Sequence, residues 1–263
     1  MWLVNSSIGR KVVMSISGAA LVFFLLFHAA MNVVAIVSAE GYNMICEFLG
    51  ANWYALVATA GLAFLVVVHI LYAFYITMQN YRARGKERYA VSARQADVEW
   101  SSKNMLALGI IIVLGLGLHM FNFWYKMQFA EILHKAGVES VDITNATNGV
   151  YWIQETFSQW YYFALYMVWL GAIWFHLTHG VWSMLQTVGW ANDKWYPRLK
   201  VLSGAVATVI FAGFAIVTVL FFLKENGICC CGAEETVEHA VELVETAVET
   251  VVETASEVVA PAN

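Results

Sequence analysis

Charge is scarce in this chain of 263 residues: 14 Lys and Arg with 19 Asp and Glu make up 13% of it, against 60% hydrophobic residues. Soluble domains average about 25% charged residues, so the composition excludes an ordinary soluble domain. Proline is almost missing. Pro197 and Pro261 are the only two, and neither interrupts a long apolar run, so no run carries a proline kink. No glycine-rich dinucleotide fingerprint is present. The four cysteines, Cys46 and the run Cys229, Cys230 and Cys231, lack the spacing of an iron–sulfur site.

What the chain has instead is apolar runs of membrane-crossing length, about 20 residues or more. They predict spans near 12–37, 53–80, 104–130, 157–188 and 201–223. The first run follows Arg10 and Lys11 as a signal peptide would, but it is too long for one and holds an internal His28 and Asn32, so it reads as a retained span. The fold class expected is an all-α membrane protein of five transmembrane helices. Residues 1–228 form the membrane domain and 229–263 an acidic tail.

Basic residues set the expected orientation. A cytoplasmic N-terminus puts Arg10, Lys11, Arg82, Arg84, Lys86, Arg88, Arg94, Lys103, Lys194, Arg198 and Lys200 inside. Only Lys126, Lys135 and Lys224 then fall outside, eleven against three, which predicts N-in and C-out.

Four of the five runs carry a histidine deep inside: His28 in LVFFLLFHAAMN, His69 in AFLVVVHILYAF, His119 in IIIVLGLGLHMFNFW and His176 in VWLGAIWFHLTH. Ionisable groups at membrane depth are costly and usually face the bundle interior for a purpose. One buried imidazole has an ordinary structural explanation, but one in each of four helices looks like two pairs of axial ligands for two haems. Helix rise then ranks them by depth. His28 lies 18 residues beyond Arg10 and His119 16 beyond Lys103, roughly 24–27 Å from the inner boundary at about 1.5 Å per residue. His69 lies 13 before Arg82 and His176 13 before Gly189, roughly 20 Å from it. The expected pairs are His69 with His176 towards the cytoplasm and His28 with His119 towards the outside.

Two axial imidazoles close both open positions of a haem iron, which suits electron transfer rather than oxygen chemistry, and a four-helix bundle is an established haem scaffold. With no C-x-x-C-H sequence, the haems would be noncovalent, b-type. Copper or zinc is the alternative for four histidines and requires them at one depth. His179, one turn from His176, is the competing ligand, and otherwise a partner for a haem propionate or part of a polar path. His134 and His239 are expected in solvent. Gly115, Gly117, Gly171 and Gly180 lie on or near the histidine faces, either for close helix packing or to make room for a macrocycle.

The segments FLLFHAAMN, VVHILYAFYI, GLHMFNFW and IWFHLTHGVWSMLQTVGW, in this order and followed by a span without histidine, resemble the dihaem cytochrome b anchor of the succinate dehydrogenases and quinol:fumarate reductases. The likeness covers roughly residues 8–223. In that family a fourth-span histidine precedes a glycine by four residues and then a Trp-Ser pair, matched here by His176, Gly180, Trp182 and Ser183, which favours His176 over His179. The resemblance implies the same pairing as the depth count. It also implies an electron-transfer and quinone-reactive subunit that does no dicarboxylate chemistry itself. Two b haems would connect an iron–sulfur subunit, docked with an FAD flavoprotein on the cytoplasmic face, to a quinone, with menaquinone expected. The setting implied is a bacterial inner membrane, with lipid and these subunits as partners and no nucleic acid.

Quinone chemistry exchanges protons, so a carboxylate near the outer haem is expected. Glu40 and Glu47 in SAEGYNMICEFLG are the candidates. Glu47 is preferred, with Tyr42 or Asn43 beside it, against the plainer reading of two loop acids. Trp53, Trp100, Trp124, Trp152, Trp160, Trp190 and Trp195 lie near span ends, as interfacial aromatics do. Glu234, Glu238, Glu242, Glu245, Glu249, Glu253 and Glu257 give the tail a helical period, but its valines and low complexity equally allow disorder. A hydrogenase- or formate-dehydrogenase-type dihaem anchor is the closest alternative function. A proton-coupled transporter is more remote, since neither repeats nor broken helices are evident.

Overall fold

The computed structural model describes residues 6–84 and 99–228 together with Glu242, Thr246 and Glu249. All regular elements among the described residues are helical: α1 (Ser7–Val37), α2 (Ala39–Phe48), α3 (Trp53–Arg84), α4 (Met105–Lys135), α5 (Gly149–Phe157), α6 (Trp160–Thr187) and α7 (Trp195–Glu225). A single turn, Trp100–Lys103, precedes α4. Five of these helices, α1, α3, α4, α6 and α7, are long and apolar enough to cross a membrane. The chain is an all-α, multi-pass membrane protein. Lys86, Arg88, Arg94, the run Cys229, Cys230 and Cys231, His239 and most of the acidic repeat lie outside the described residues.

Four helices run past the apolar stretches that foretell them, α1 starting at Ser7, α3 reaching Arg84, α4 reaching Lys135 and α7 spanning Trp195–Glu225, whereas α6 falls within its expected 157–188. Ser6 Oγ accepts from Gly9 N–H at 2.9 Å and starts α1. Ser38 both ends α1, its N–H donating to Val34 C=O, and starts α2, its Oγ accepting from Gly41 N–H. At the far end of α6, Gly189 adopts φ +91°, a left-handed conformation that closes the helix with Trp190 N–H donating to Leu185 C=O. Two elements were not foreseen: α2 and α5, short helices within connections expected only as loops. Together they cap the end of the bundle opposite the basic N-terminus of α1.

The histidine-free span, α7, is the most enclosed, with Ala207 and Ile210 fully buried against Leu170, Ile173 and Leu177 of α6. Small residues permit this approach. Gly213 sits against Ala29 of α1, and Ser203 Oγ donates to Thr178 C=O at 2.7 Å. In contrast, α3 packs mainly along α1, with Thr59 Oγ1 donating to Gln128 Oε1 of α4 at 3.0 Å, and within the spans α4 packs along α6. Large side chains face outwards, Phe23 at 75% and Leu114 at 70% exposure, as expected where lipid replaces water.

Candidate functional site

The four intramembrane histidines meet as two pairs. His28 on α1 and His119 on α4 have ring centres 5.9 Å apart, with planes at 78°. His69 on α3 and His176 on α6 stand 6.3 Å apart, with planes at 66°. In each pair the imidazoles bridge helices whose backbones do not otherwise pack closely, since the packed neighbours are α1 with α3, α1 with α6, and α4 with α6. Among the described residues no three His, Cys, Asp or Glu side chains converge on one point, so the arrangement is paired rather than clustered.

Pair spacing can be tested against a shared metal. An imidazole nitrogen binds a transition metal at about 2 Å, and roughly 1 Å more separates that nitrogen from its ring centre, so two imidazoles across one metal have centres about 6 Å apart. Both observed separations match that figure. The donor set fits the axial positions of a haem iron.

Hydrogen bonding fixes the inner pair. Ser17 is 2% exposed, and its Oγ–H donates to Val13 C=O at 2.9 Å. The same oxygen lies 3.1 Å from His69 Nδ1, as acceptor or donor according to the tautomer of the ring. In the tautomer with the proton on Nδ1, Ser17 Oγ is its acceptor and Nε2 keeps the free electron pair, the state in which a histidine binds a metal. Gly18 lies beside the same ring, where a Cβ would stand in ordinary contact 3.5 Å from His69 Cε1. His176 Nδ1 is enclosed without a partner.

His28 stacks on Phe24 and touches Phe214, with ring centres 5.2 Å and 5.4 Å away. His119 is ringed by Phe123, Trp169 and Tyr166. Directly after it the helix widens into a π-helical stretch, Met120–Phe129, a feature frequent at functional sites. That widening places Asn122, 1% exposed, in the core, where its Nδ2 donates to Tyr166 Oη at 3.4 Å and its Oδ1 has no partner.

His179 turns away from the pairs. Its Nδ1 lies 3.5 Å from Glu99 Oε2, and its ring meets Trp182 edge-on. Glu99 also takes Lys200 Nζ at 2.8 Å and Trp182 Nε1–H at 3.2 Å. Burial opposes ionisation of Glu99, but the hydrogen bonds from Lys200 and Trp182, with the Lys200 charge, outweigh it and hold the carboxyl below its usual range. The imidazole opposite His69 is thus His176.

At the capped end Glu47 and Glu40 are exposed, while Tyr42 and Asn43 on the same helix turn inwards. Tyr42 O–H donates to Asn32 Oδ1, and Asn43 Nδ2 donates to Asn148 Oδ1, both at 3.1 Å. Burial and the neighbouring Cys46 raise the Tyr42 phenol above its ordinary range, and burial raises the Cys46 thiol to about 11. Glu131 is half-buried, its Oε2 accepting from Ala51 N–H at 2.9 Å and its Oε1 enclosed without a partner. His134 is exposed.

The glycines divide. Gly115 is a packing residue, since a Cβ there would collide with the Trp169 ring. At Gly117, Gly171 and Gly180 a Cβ would meet nothing within 4 Å. Trp53, Trp100, Trp160 and Trp190 are exposed, whereas Trp152 donates to Asn145 C=O and carries Lys126 over its ring.

Ser17 and Glu99 were not singled out in the sequence, and Asn32 only as a polar residue inside the first span. A signal existed for two of them on α1. Ser17 lies 11 residues before His28, close to three turns, and Asn32 lies four after it, so all three share a face. Neither a family model, nor a curated protein, nor a solved structure matches the chain.

Proposed function

We propose that this protein is the membrane-anchor cytochrome b of a succinate:quinone oxidoreductase, a succinate dehydrogenase or fumarate reductase. It would hold two b haems and pass electrons between an iron–sulfur subunit and a quinone, menaquinone being the species preferred. One observation carries the reading: two imidazole pairs, each at the spacing of ligands across one metal, each joining helices that are otherwise apart. His69 and His176 would hold the inner haem, and His28 and His119 the outer one.

Bound haem would supply one-electron transfer, held by His69 with His176 and by His28 with His119. The chain's own residues prepare for it. Ser17 Oγ stands where it can accept from His69 Nδ1–H, and the rings of Phe24, Phe214, Phe123 and Trp169 enclose His28 and His119. Glu47, exposed at the capped end, would exchange a proton with solvent near a quinone. The reading sets the chain in a bacterial inner membrane, N-terminus inside, with the flavoprotein and iron–sulfur subunits on the basic face. Gentle solubilisation and purification of the tagged full chain from its native membrane tests the assembly. A flavoprotein carrying FAD and an iron–sulfur protein should accompany it. A hydrogenase or formate dehydrogenase subunit in their place would overturn the succinate assignment while keeping the cytochrome.

A further inference from the structure

Within the spans, α4 packs along α6, and α1 packs on α6 as well. His28 stands on α1 and His119 on α4, so their meeting across the bundle depends on where α4 seats along α6. Apolar contact alone sets no such seat, because it is non-directional.

Trp169 of α6 supplies the direction. Its indole N–H donates to Ile112 C=O of α4 at 3.0 Å. Its ring lies over Gly115, where a Cβ would collide with it. The same ring stands 5.6 Å from the His119 ring, with planes at 32°. Ile112, Gly115 and His119 are spaced by three and four residues and share one face of α4, so one side chain engages successive turns of that helix. Trp169 is also the one partly buried side chain, among the described residues, packed against both core clusters: Leu170, Ile173 and Ala207 in one, Phe157, Tyr166 and Val217 in the other. Sliding α4 by a turn, about 5.4 Å, would break the hydrogen bond and bring Ile112 or Leu118 under the ring in place of Gly115.

We propose that Trp169 is a positioning residue for the outer pair: seated in the Gly115 notch, it keys α4 to α6 and sets His119 opposite His28. It stands on the helix that carries His176, seven residues away, or about 10 Å along the axis. The key thus also fixes the outer pair relative to an imidazole of the inner one. Its consequence for haem rests on the function proposed above.

Haem content and melting of the full chain test this. Trp169→Leu removes the N–H and the ring, and Gly115→Ala fills the notch. Each should lose haem from the outer site and keep the inner one, taking the pyridine haemochrome towards one haem per chain. Low-temperature spectra identify the haem lost, which should be the one that His28→Ala loses, and Trp169→Leu added to His28→Ala should remove no more. Should Trp169→Leu fail to accumulate, Trp169→Phe, which keeps a ring without the N–H, carries the same expectation with a smaller loss. In thermal melts, Gly115→Ala combined with Trp169→Leu should cost less than the sum of the two, because Leu leaves room for the added methyl. Loss of both haems alike would make Trp169 a general packing residue, and additive melting shifts would show that ring and notch act separately; either result overturns the proposal. If the parent takes up no haem, the haem reading fails, and the melting cycle on the haem-free chain still decides whether Trp169 and Gly115 form one seat.

Discussion

His69 Nδ1 on α3 lies 3.1 Å from Ser17 Oγ on α1, the one side-chain hydrogen bond that any of the four paired imidazoles makes to a different helix among the described residues. Through it α1 serves both pairs: Ser17 orients His69 of one, and three turns along the same face His28 belongs to the other. That interval corresponds to about 16 Å along the helix axis, which sets the two pairs at different depths.

Removing the Ser17 hydroxyl leaves His69 Nδ1–H without an acceptor in an apolar setting. Ser17→Ala should weaken haem retention at the inner site by about 10–100-fold, the usual effect of losing such a supporting partner, with the outer site intact. Haem loss to an acceptor protein, followed by absorbance, measures it. Equal retention at both sites would remove Ser17 from the account.

Substitution of the paired imidazoles should act pair by pair. His69→Ala or His176→Ala should eliminate one haem, and His28→Ala or His119→Ala the other. His179→Ala should leave both, since its ring faces Glu99 and Trp182. Low-temperature spectra of the variants distinguish the two haems. A His179→Ala protein that loses a haem while His176→Ala keeps both would reassign the fourth ligand.

The spans and the pairing of the histidines were legible because they depend on long-range regularities, hydrophobic length and helical rise. Each of the four histidine-bearing runs also announced its ionisable group by the absence of others around it. What escaped depends on short polar contacts. Glu99 precedes a span by a single turn and reads as an ordinary connecting acid until α6 and α7 bring His179, Trp182 and Lys200 to it. Helices α2 and α5 were missed because they are short, although Ser38 and Asn148 are local N-caps, accepting from Gly41 N–H and Tyr151 N–H. The π-helical widening after His119 left no mark in MFNFWYKMQF, since it is a property of packing rather than composition.

Glu99 should make the basic end of the bundle sensitive to acid. Its carboxyl is held below the ordinary range in the folded chain, so its contribution is present above the unfolded carboxyl pKa of about 4.3 and is lost as pH falls through the folded value. Glu99→Gln should therefore lower the melting temperature at neutral pH, and the difference from the parent should shrink in acid. Thermal melts in detergent across this range decide it. A difference that grows as pH falls would contradict the sign.

Glu47 tests the proton side of the proposed quinone chemistry. Glu47→Gln should impair quinone turnover by the assembled complex and leave both haem spectra unchanged, because the residue is exposed and away from the imidazoles. Full turnover in that variant would remove Glu47 from the mechanism without touching the haem sites.

The central claim is the haem content of the two imidazole pairs. A pyridine haemochrome assay on the purified chain, normalised to protein by amino-acid analysis, measures it directly. Two noncovalent b haems per chain, low-spin in the untreated protein, is the result expected from His28 with His119 and His69 with His176. A purified, folded chain that carries no haem, or a single high-spin one, would contradict the account.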